Sequence, residues 1–204
     1  MEGESRVAGE LWAIILAAGE SRRMGFPKML LTFNERTMIE NVISNVTESK
    51  IENTMVVLGS ERDKIVKLIE KYNVRYCYND NYKEGMLSSV KCGFRNLPSG
   101  YNAVLVFQGD QPLINPNAIN AVIDAYLSSE KGIAIPVFKN RRGHPILIAR
   151  KYKDEIEKLS PVKGLRSLAD KFSDDVLEVD TDEEGILRDF DTYEEYKKGI
   201  NLIQ

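Results

Sequence analysis

The sequence predicts an α/β fold built on a mostly parallel central sheet, with helices packed on both faces. Three observations predict it. Short β-branched runs alternate with helical patterns along nearly the whole chain. The helical stretches open on recognisable capping residues. No internal repeat, low-complexity segment or dividing linker interrupts the alternation, so 204 residues suit one domain. Such alternation lays strands side by side while the connecting helices cover the sheet.

Residues 13–16, 55–58, 74–78, 104–107, 133–137 and 146–148 read as strands. Thr37-x-x-Glu40 and Ser60-x-x-Asp63 each read as a capping box, in which side chains satisfy free backbone N–H groups at a helix start. Asn115 followed by Pro116 supplies an N-cap and a first-turn proline for a helix running toward Ser128. Thr192 and Glu195 form a further box ahead of a last helix. Residues 1–10 read as a loose tail and 11–204 as the domain.

Composition narrows the class. Hydrophobic residues make up 43% and charged residues 29%, enough for a sizeable core and against wholesale disorder. A net charge of −3 argues against a nucleic-acid backbone as the main partner. Cys77 and Cys92 are the only cysteines and form no CxxC pair, so they read as reduced core residues of a cytoplasmic protein. The apolar run from Leu11 to Ala18 is too short to span a membrane. It follows Glu2, Glu4 and Glu10 rather than a basic region, so neither a signal peptide nor a membrane partner is expected.

In parallel α/β sheets ligands collect at the carboxyl ends of the strands. After the first strand come Gly19, Ser21, Arg22, Arg23, Gly25 and Lys28. Small residues at a strand exit let backbone approach a ligand, and N–H groups with nearby cations suit a polyphosphate. The spacing is neither a Rossmann GxGxxG nor a Walker GxxxxGK[ST]. The strand at 104–107 runs directly into Gln108, Gly109 and Asp110. A carboxylate at that edge suits Mg²⁺, a hard cation usually held by one or two carboxylates plus substrate phosphates. Asp191 sits just before the last helix start, and Asp189 shares its face if that segment is extended. Ser89 lies near a helix start after Gly85, and His144, between Gly143 and Pro145, is the only histidine.

The first loop carries a complete LAAGxSxRMGxxK pattern in Leu16, Ala17, Ala18, Gly19, Ser21, Arg23, Met24, Gly25 and Lys28. It resembles the signature of the MobA-like nucleotidyltransferases typified by the molybdenum cofactor cytidylyltransferases. The resemblance runs from about Leu11 to Tyr196. It implies a three-layer, Rossmann-like nucleotidyltransferase fold in which residues 16–19, Ser21, Arg23 and Lys28 bind the nucleotide. Arg23 and Lys28 would lie on phosphate oxygens, with Arg22 solvated at a variable position. Gly109 and Asp110 match the family's strand-GD-x-P context, which assigns Gly109 to nucleotide binding, Asp110 to Mg²⁺, and Asp110 with Arg23 and Lys28 to catalysis. Asp191 is the expected second metal ligand, although Tyr193 replaces the family's usual proline. Ser89 matches the serine of a GMxxS segment facing the nucleotide. His144 matches a GHP element near the acceptor. Gly164 and Arg166 match part of a G-D-x-G-x-R acceptor loop, whose first two positions are Pro161 and Val162 here.

The implied reaction is transfer of CMP from CTP to a phosphorylated acceptor, molybdopterin, with release of pyrophosphate. A molybdoenzyme or its chaperone would be the protein partner. Alanine at position 18, where guanylyl enzymes usually carry glycine, is the feature behind CTP. The same chemistry with GTP, or with a sugar or alcohol phosphate, is the nearest alternative. A nicotinamide-dependent oxidoreductase fits only the α/β pattern and lacks the three-glycine turn. A non-catalytic nucleotide sensor would leave Lys28 and Asp110 unexplained.

Overall fold

The computed structural model describes residues 10–201. In chain order the described residues form β1 (Leu11–Ala17), β2 (Thr32–Phe33), β3 (Arg36–Thr37), α1 (Met38–Thr47), β4 (Asn53–Leu58) and α2 (Arg62–Ile69). There follow β5 (Arg75–Tyr78), α3 (Met86–Arg95), β6 (Ala103–Gln108), α4 (Pro116–Leu127), β7 (Ile133–Phe138) and β8 (Arg141–Arg142). The remainder are β9 (Ile146–Ala149), α5 (Lys153–Lys158), α6 (Arg166–Lys171), β10 (Val176–Asp180) and α7 (Tyr193–Asn201).

β1 is apolar throughout and lies inside the sheet, with six of its seven residues buried. β1 pairs in parallel with β4 on one side and β6 on the other, and β4 pairs in parallel with β5. The main sheet runs β10-β7-β9-β6-β1-β4-β5, with β8 paired to β7. Alternation of side chains divides β1 between two layers. Ala13, Ile15 and Ala17 pack with Ile39 and Ile43 of α1, Ile65 of α2 and Ile119 of α4. Trp12, Ile14 and Leu16 pack with Val90 and Phe94 of α3, Ile156 of α5 and Leu168 of α6. Each large side chain buried in these layers contributes about 1.5–3 kcal/mol of transfer free energy. Helices therefore cover both faces, giving three layers.

Several helix starts follow their sequence signals. The Asn115 side chain accepts from the Ala118 N–H at 2.9 Å. The Glu40 carboxylate accepts from the Thr37 N–H at 2.8 Å. Glu195 and Thr192 cap each other reciprocally, at 2.9 and 3.2 Å. The Ser60 box does not form. Glu61, in the left-handed region at φ 56°, is the N-cap of α2 instead, because the Ser60 N–H is committed to the Ala18 carbonyl at 3.0 Å.

One boundary also differs. Glu10, expected in the loose tail, is anchored: its carboxylate accepts from the Trp12 indole at 3.0 Å and its carbonyl from the Asn102 N–H at 2.9 Å. The rest of the expected tail, residues 1–9, lies outside the described residues. β9 runs antiparallel between β6 and β7, which apolar periodicity alone does not reveal. A separate small core of Met24, Phe33, Met38, Phe190 and Tyr196 ties the loop after β1 to the C-terminal segment.

Candidate active site

Leu16 of β1 and Gln108 of β6 lie in register, so the residues that follow them leave the sheet at the same edge. The Gly109 N–H donates to the Leu16 carbonyl at 3.0 Å. A Cβ at position 109 would stand 2.9 Å from that oxygen and 2.9 Å from the Met29 sulfur. Glycine is thus required for the two strand exits to meet.

Ser21 organises the loop after β1. Its carbonyl accepts from the N–H groups of Met24 and Gly25 at 3.0 and 3.1 Å. Its hydroxyl accepts from the Lys28 N–H at 3.0 Å. The resulting turn has Ser21 at φ 53° and Gly25 at φ 72°, and it delivers Lys28 back beneath β1. Met24 of the signature is 5% exposed and serves as a packing anchor in the small core.

Lys28 and Asp110 then meet as a charge-assisted ion pair. The Lys28 ammonium also donates to Asp191 Oδ1 at 3.1 Å. Asp191 Oδ2 pairs in turn with Arg23 at 2.7 Å. Positive and negative groups thus alternate from Arg23 through Asp191 and Lys28 to Asp110. The tail reaches this place because the Phe190 N–H donates to the Asp110 carbonyl at 3.3 Å and Phe190 packs in the small core. Burial works against the charge on Lys28, but Asp110 and Asp191 outweigh it and hold its pKa above the ordinary value. Asp189 is pushed up, first by burial and then by the charges of Asp191 and Asp110. Asp191, not Asp189, makes the contacts to Lys28 and Arg23.

Asp110 is 5% exposed, and its Oδ1 is buried with no hydrogen-bond partner among the described residues. A buried carboxylate oxygen without a donor is costly, and a cation would satisfy it. Asp110 and Asp191 therefore fit a divalent ion. No group of three or more His, Cys, Asp or Glu side chains is clustered for a metal among the described residues.

Beside these charges lies a cleft of about 330 Å³, lined by Ala18, Gly19, Ser21, Lys28, Ser89 and Asp110 among others. That volume suits a small ligand. Ser89 is buried at the start of α3 and accepts from the Asn79 amide at 3.0 Å. Arg22, expected to be solvated, is 75% exposed and paired with Glu20 at 2.7 Å, yet lines the cleft. Ala17 is fully buried in the α1-side layer and does not line it.

The acceptor-side residues are more dispersed. His144 reaches the cleft indirectly, through a 2.8 Å hydrogen bond between its Nε2 and the Gln108 amide. Gly164, at φ 61°, and Arg166, which opens α6, do not line the cleft. Sequence reasoning does not single out Gln108. Its one signal is its place immediately before Gly109-Asp110 at a strand's carboxyl end. Asn79, equally inconspicuous in the sequence, follows β5 and donates to Ser88 as well as Ser89.

Comparison with known proteins shows what the chain is similar to. The chain is 28% identical over 200 residues to a probable molybdenum cofactor guanylyltransferase of Methanosarcina mazei, covering 94% of this chain and 86% of that one. It is 36% identical over 125 residues to the bifunctional protein GlmU of Clostridium kluyveri, covering 60% of this chain but only 27% of that protein. A nucleotidyl transferase from Methanothermobacter thermautotroptrophicus shares the fold, with a TM-score of 0.81 at 19% identity over 95% of this chain and 97% of the other. No helix among the described residues is long and apolar enough to cross a membrane. Residues 13–176 match the MobA-like NTP transferase domain, and the chain belongs to that family of nucleotidyltransferases.

Proposed function

We propose that the protein transfers CMP from CTP to a phosphorylated acceptor, molybdopterin, releasing pyrophosphate in molybdenum cofactor biosynthesis. The observation that carries the transfer chemistry is the alternating charge array of Arg23, Asp191, Lys28 and Asp110 beside a glycine-bearing cleft. A phosphate monoester is largely dianionic at neutral pH, its second pKa being ~6, so attack on the α-phosphorus needs no deprotonating base. Catalysis then reduces to positioning and charge stabilisation. Backbone around Ala18 and Gly19 admits the nucleotide, while Arg23 and Lys28 neutralise triphosphate oxygens. Asp110 and Asp191 would hold Mg²⁺, which supplies further neutralisation of the reacting phosphates when bound. A molybdoenzyme or its chaperone would receive the product.

The case for CTP is Ala18 at the cleft, where a methyl group narrows the space available to a purine. A second reading, GTP, is favoured by the similarity to the Methanosarcina guanylyltransferase. Turnover of the four triphosphates at equal concentration, with molybdopterin and Mg²⁺ supplied, distinguishes them. Preference for CTP supports the proposal, and preference for GTP replaces the donor. Product with a sugar phosphate but none with molybdopterin overturns the acceptor. Omission of divalent cations tests the metal, since full turnover without them overturns its assignment.

A further inference from the structure

Two thiols outside the charge array face each other. Cys77 on β5 is 8% exposed and Cys92 on α3 is half-buried. Their sulfurs lie 3.8 Å apart, and they are the only cysteines in the chain. β5 is the last strand of the sheet, so nothing in the sheet lies beyond it. A disulfide bond is about 2.05 Å long. Closing the pair therefore requires a relative approach of somewhat less than about 2 Å, within reach of side-chain rotation and a small shift of α3 against β5.

That shift would be felt in the cleft. Asn79, two residues beyond Cys77, donates to Ser88 at 2.8 Å and to Ser89 at 3.0 Å. Ser89 lies about one helical turn before Cys92, and it lines the cleft together with Met86. The sulfur pair and the Asn79 clamp thus join the same two elements at neighbouring levels. Moving one strains the other.

We propose that Cys77 and Cys92 are a thiol-oxidation site, closing to an intramolecular disulfide that shifts α3 and weakens triphosphate binding. The co-reactant is a low-molecular-weight disulfide. The Cys92 thiolate attacks one of its sulfurs, forming a mixed disulfide and releasing a small thiolate. Cys77 then gives its proton to solvent and attacks Cys92 Sγ, which expels the second small thiolate. Two protein thiols are oxidised while one small disulfide is reduced to two thiols, so electrons and atoms balance. The order of attack follows from the surroundings. Cys92 is half-buried and within reach of the small disulfide, whereas Cys77 is 8% exposed, and burial disfavours a thiolate.

The nucleotide half of this proposal rests on the function proposed above; the crosslink does not. The full chain is incubated with glutathione disulfide in native buffer, and its intact mass and CTP and GTP affinities are measured before and after. Loss of two hydrogens is expected, with a triphosphate Kd raised by about threefold or more and restored by dithiothreitol. Cys77→Ser should stop at a mixed disulfide on Cys92, and Cys92→Ser should give no crosslink while keeping the reduced affinity. No crosslink in the native protein, or a crosslink with unchanged affinity, overturns the proposal. If the reduced protein binds no triphosphate, the functional reading fails, and the mass measurement still decides the dithiol.

Discussion

The side-chain amide of Gln108 donates to Nε2 of His144 at 2.8 Å. With the amide nitrogen turned to the ring, Nε2 accepts and the imidazole is neutral. Burial, the largest influence, pushes the His144 pKa below its ordinary value despite the pull of Asp110, so the neutral ring is the favoured form. The lone histidine is thereby an anchor for a residue of the cleft rather than a proton carrier. Gln108→Leu is expected to lower kcat/KM by about threefold to tenfold, the worth of one net hydrogen bond. His144→Phe should cost no more, and the double variant should match Gln108→Leu alone. Full additivity in the double-mutant cycle, with melting temperatures confirming that all variants fold, would separate the two residues.

Lys28 serves both the resting protein and its ligand. Removing a charge-assisted phosphate contact costs roughly 1.5–3 kcal/mol. Lys28→Ala should therefore raise the triphosphate Kd by at least about tenfold. It should also lower Tm in chelator, because the buried Asp110 carboxylate loses its counter-charge. Added Mg²⁺ should recover part of that loss. Calorimetry with and without Mg²⁺ checks the second expectation, and an unchanged Tm in chelator would contradict it.

Asp110→Asn preserves shape and removes the charge that faces Lys28. Most turnover should be lost while the far-ultraviolet spectrum stays the same. Asp191→Asn should likewise reduce turnover, because Asp191 contacts both Lys28 and Arg23. Asp189→Asn should have the smaller effect. A larger rate loss at Asp189 than at Asp191 would reverse the assignment of the tail carboxylate.

The principal strands were legible because runs such as 55–58 are uniformly apolar and end at glycine. The antiparallel direction of β9 was not, since pairing direction depends on chain path and leaves apolar content unchanged. β10 was also missed: its burial pattern alternates only weakly, with Glu178 and Asp180 exposed at the sheet edge. In the site, Lys28 and Asp110 could be matched to the signature one residue at a time. Their mutual ion pair, across 82 residues, could not be read from local pattern. The Gln108–His144 bond escaped for the same reason, as neither residue carries a distinctive spacing. The failed Ser60 cap shows a tertiary hydrogen bond to Ala18 overriding a plausible local signal.

Acid should expose the cap of α1. Burial pushes Glu40 upward, but its bonds with Lys71 and Thr37 outweigh that and hold its pKa below the ordinary value. A depressed carboxylate stabilises the fold above its unfolded pKa of about 4.3, and that contribution disappears as pH falls through the lower folded value. Glu40→Gln should lose about 1 kcal/mol at neutral pH, or about 2–4 °C in Tm. The difference from the parent should shrink progressively below about pH 4. A gap that stays constant down to the acid limit would show that the charge of Glu40 is not responsible.

Two glycines at the strand exits are expected to separate scaffolding from ligand approach. A Cβ at Gly109 would press on the Leu16 carbonyl and the Met29 sulfur, both at 2.9 Å. Those neighbours belong to a buried junction, so Gly109→Ala should destabilise the fold by about 1–3 kcal/mol, as overpacked cores do. At Gly19 no described atom lies within 4 Å of where a methyl group would stand, and its φ is not positive. Gly19→Ala should therefore leave stability within about 0.5 kcal/mol of the parent. The open space around Gly19 is the cleft itself. A methyl there would meet an incoming triphosphate instead of the protein, and should raise its Kd by about fivefold or more. Tm and triphosphate affinity measured on both variants should thus move in opposite proportion: mostly Tm for Gly109→Ala, mostly affinity for Gly19→Ala. Unchanged affinity in Gly19→Ala would mean that the nucleotide does not pass over this loop.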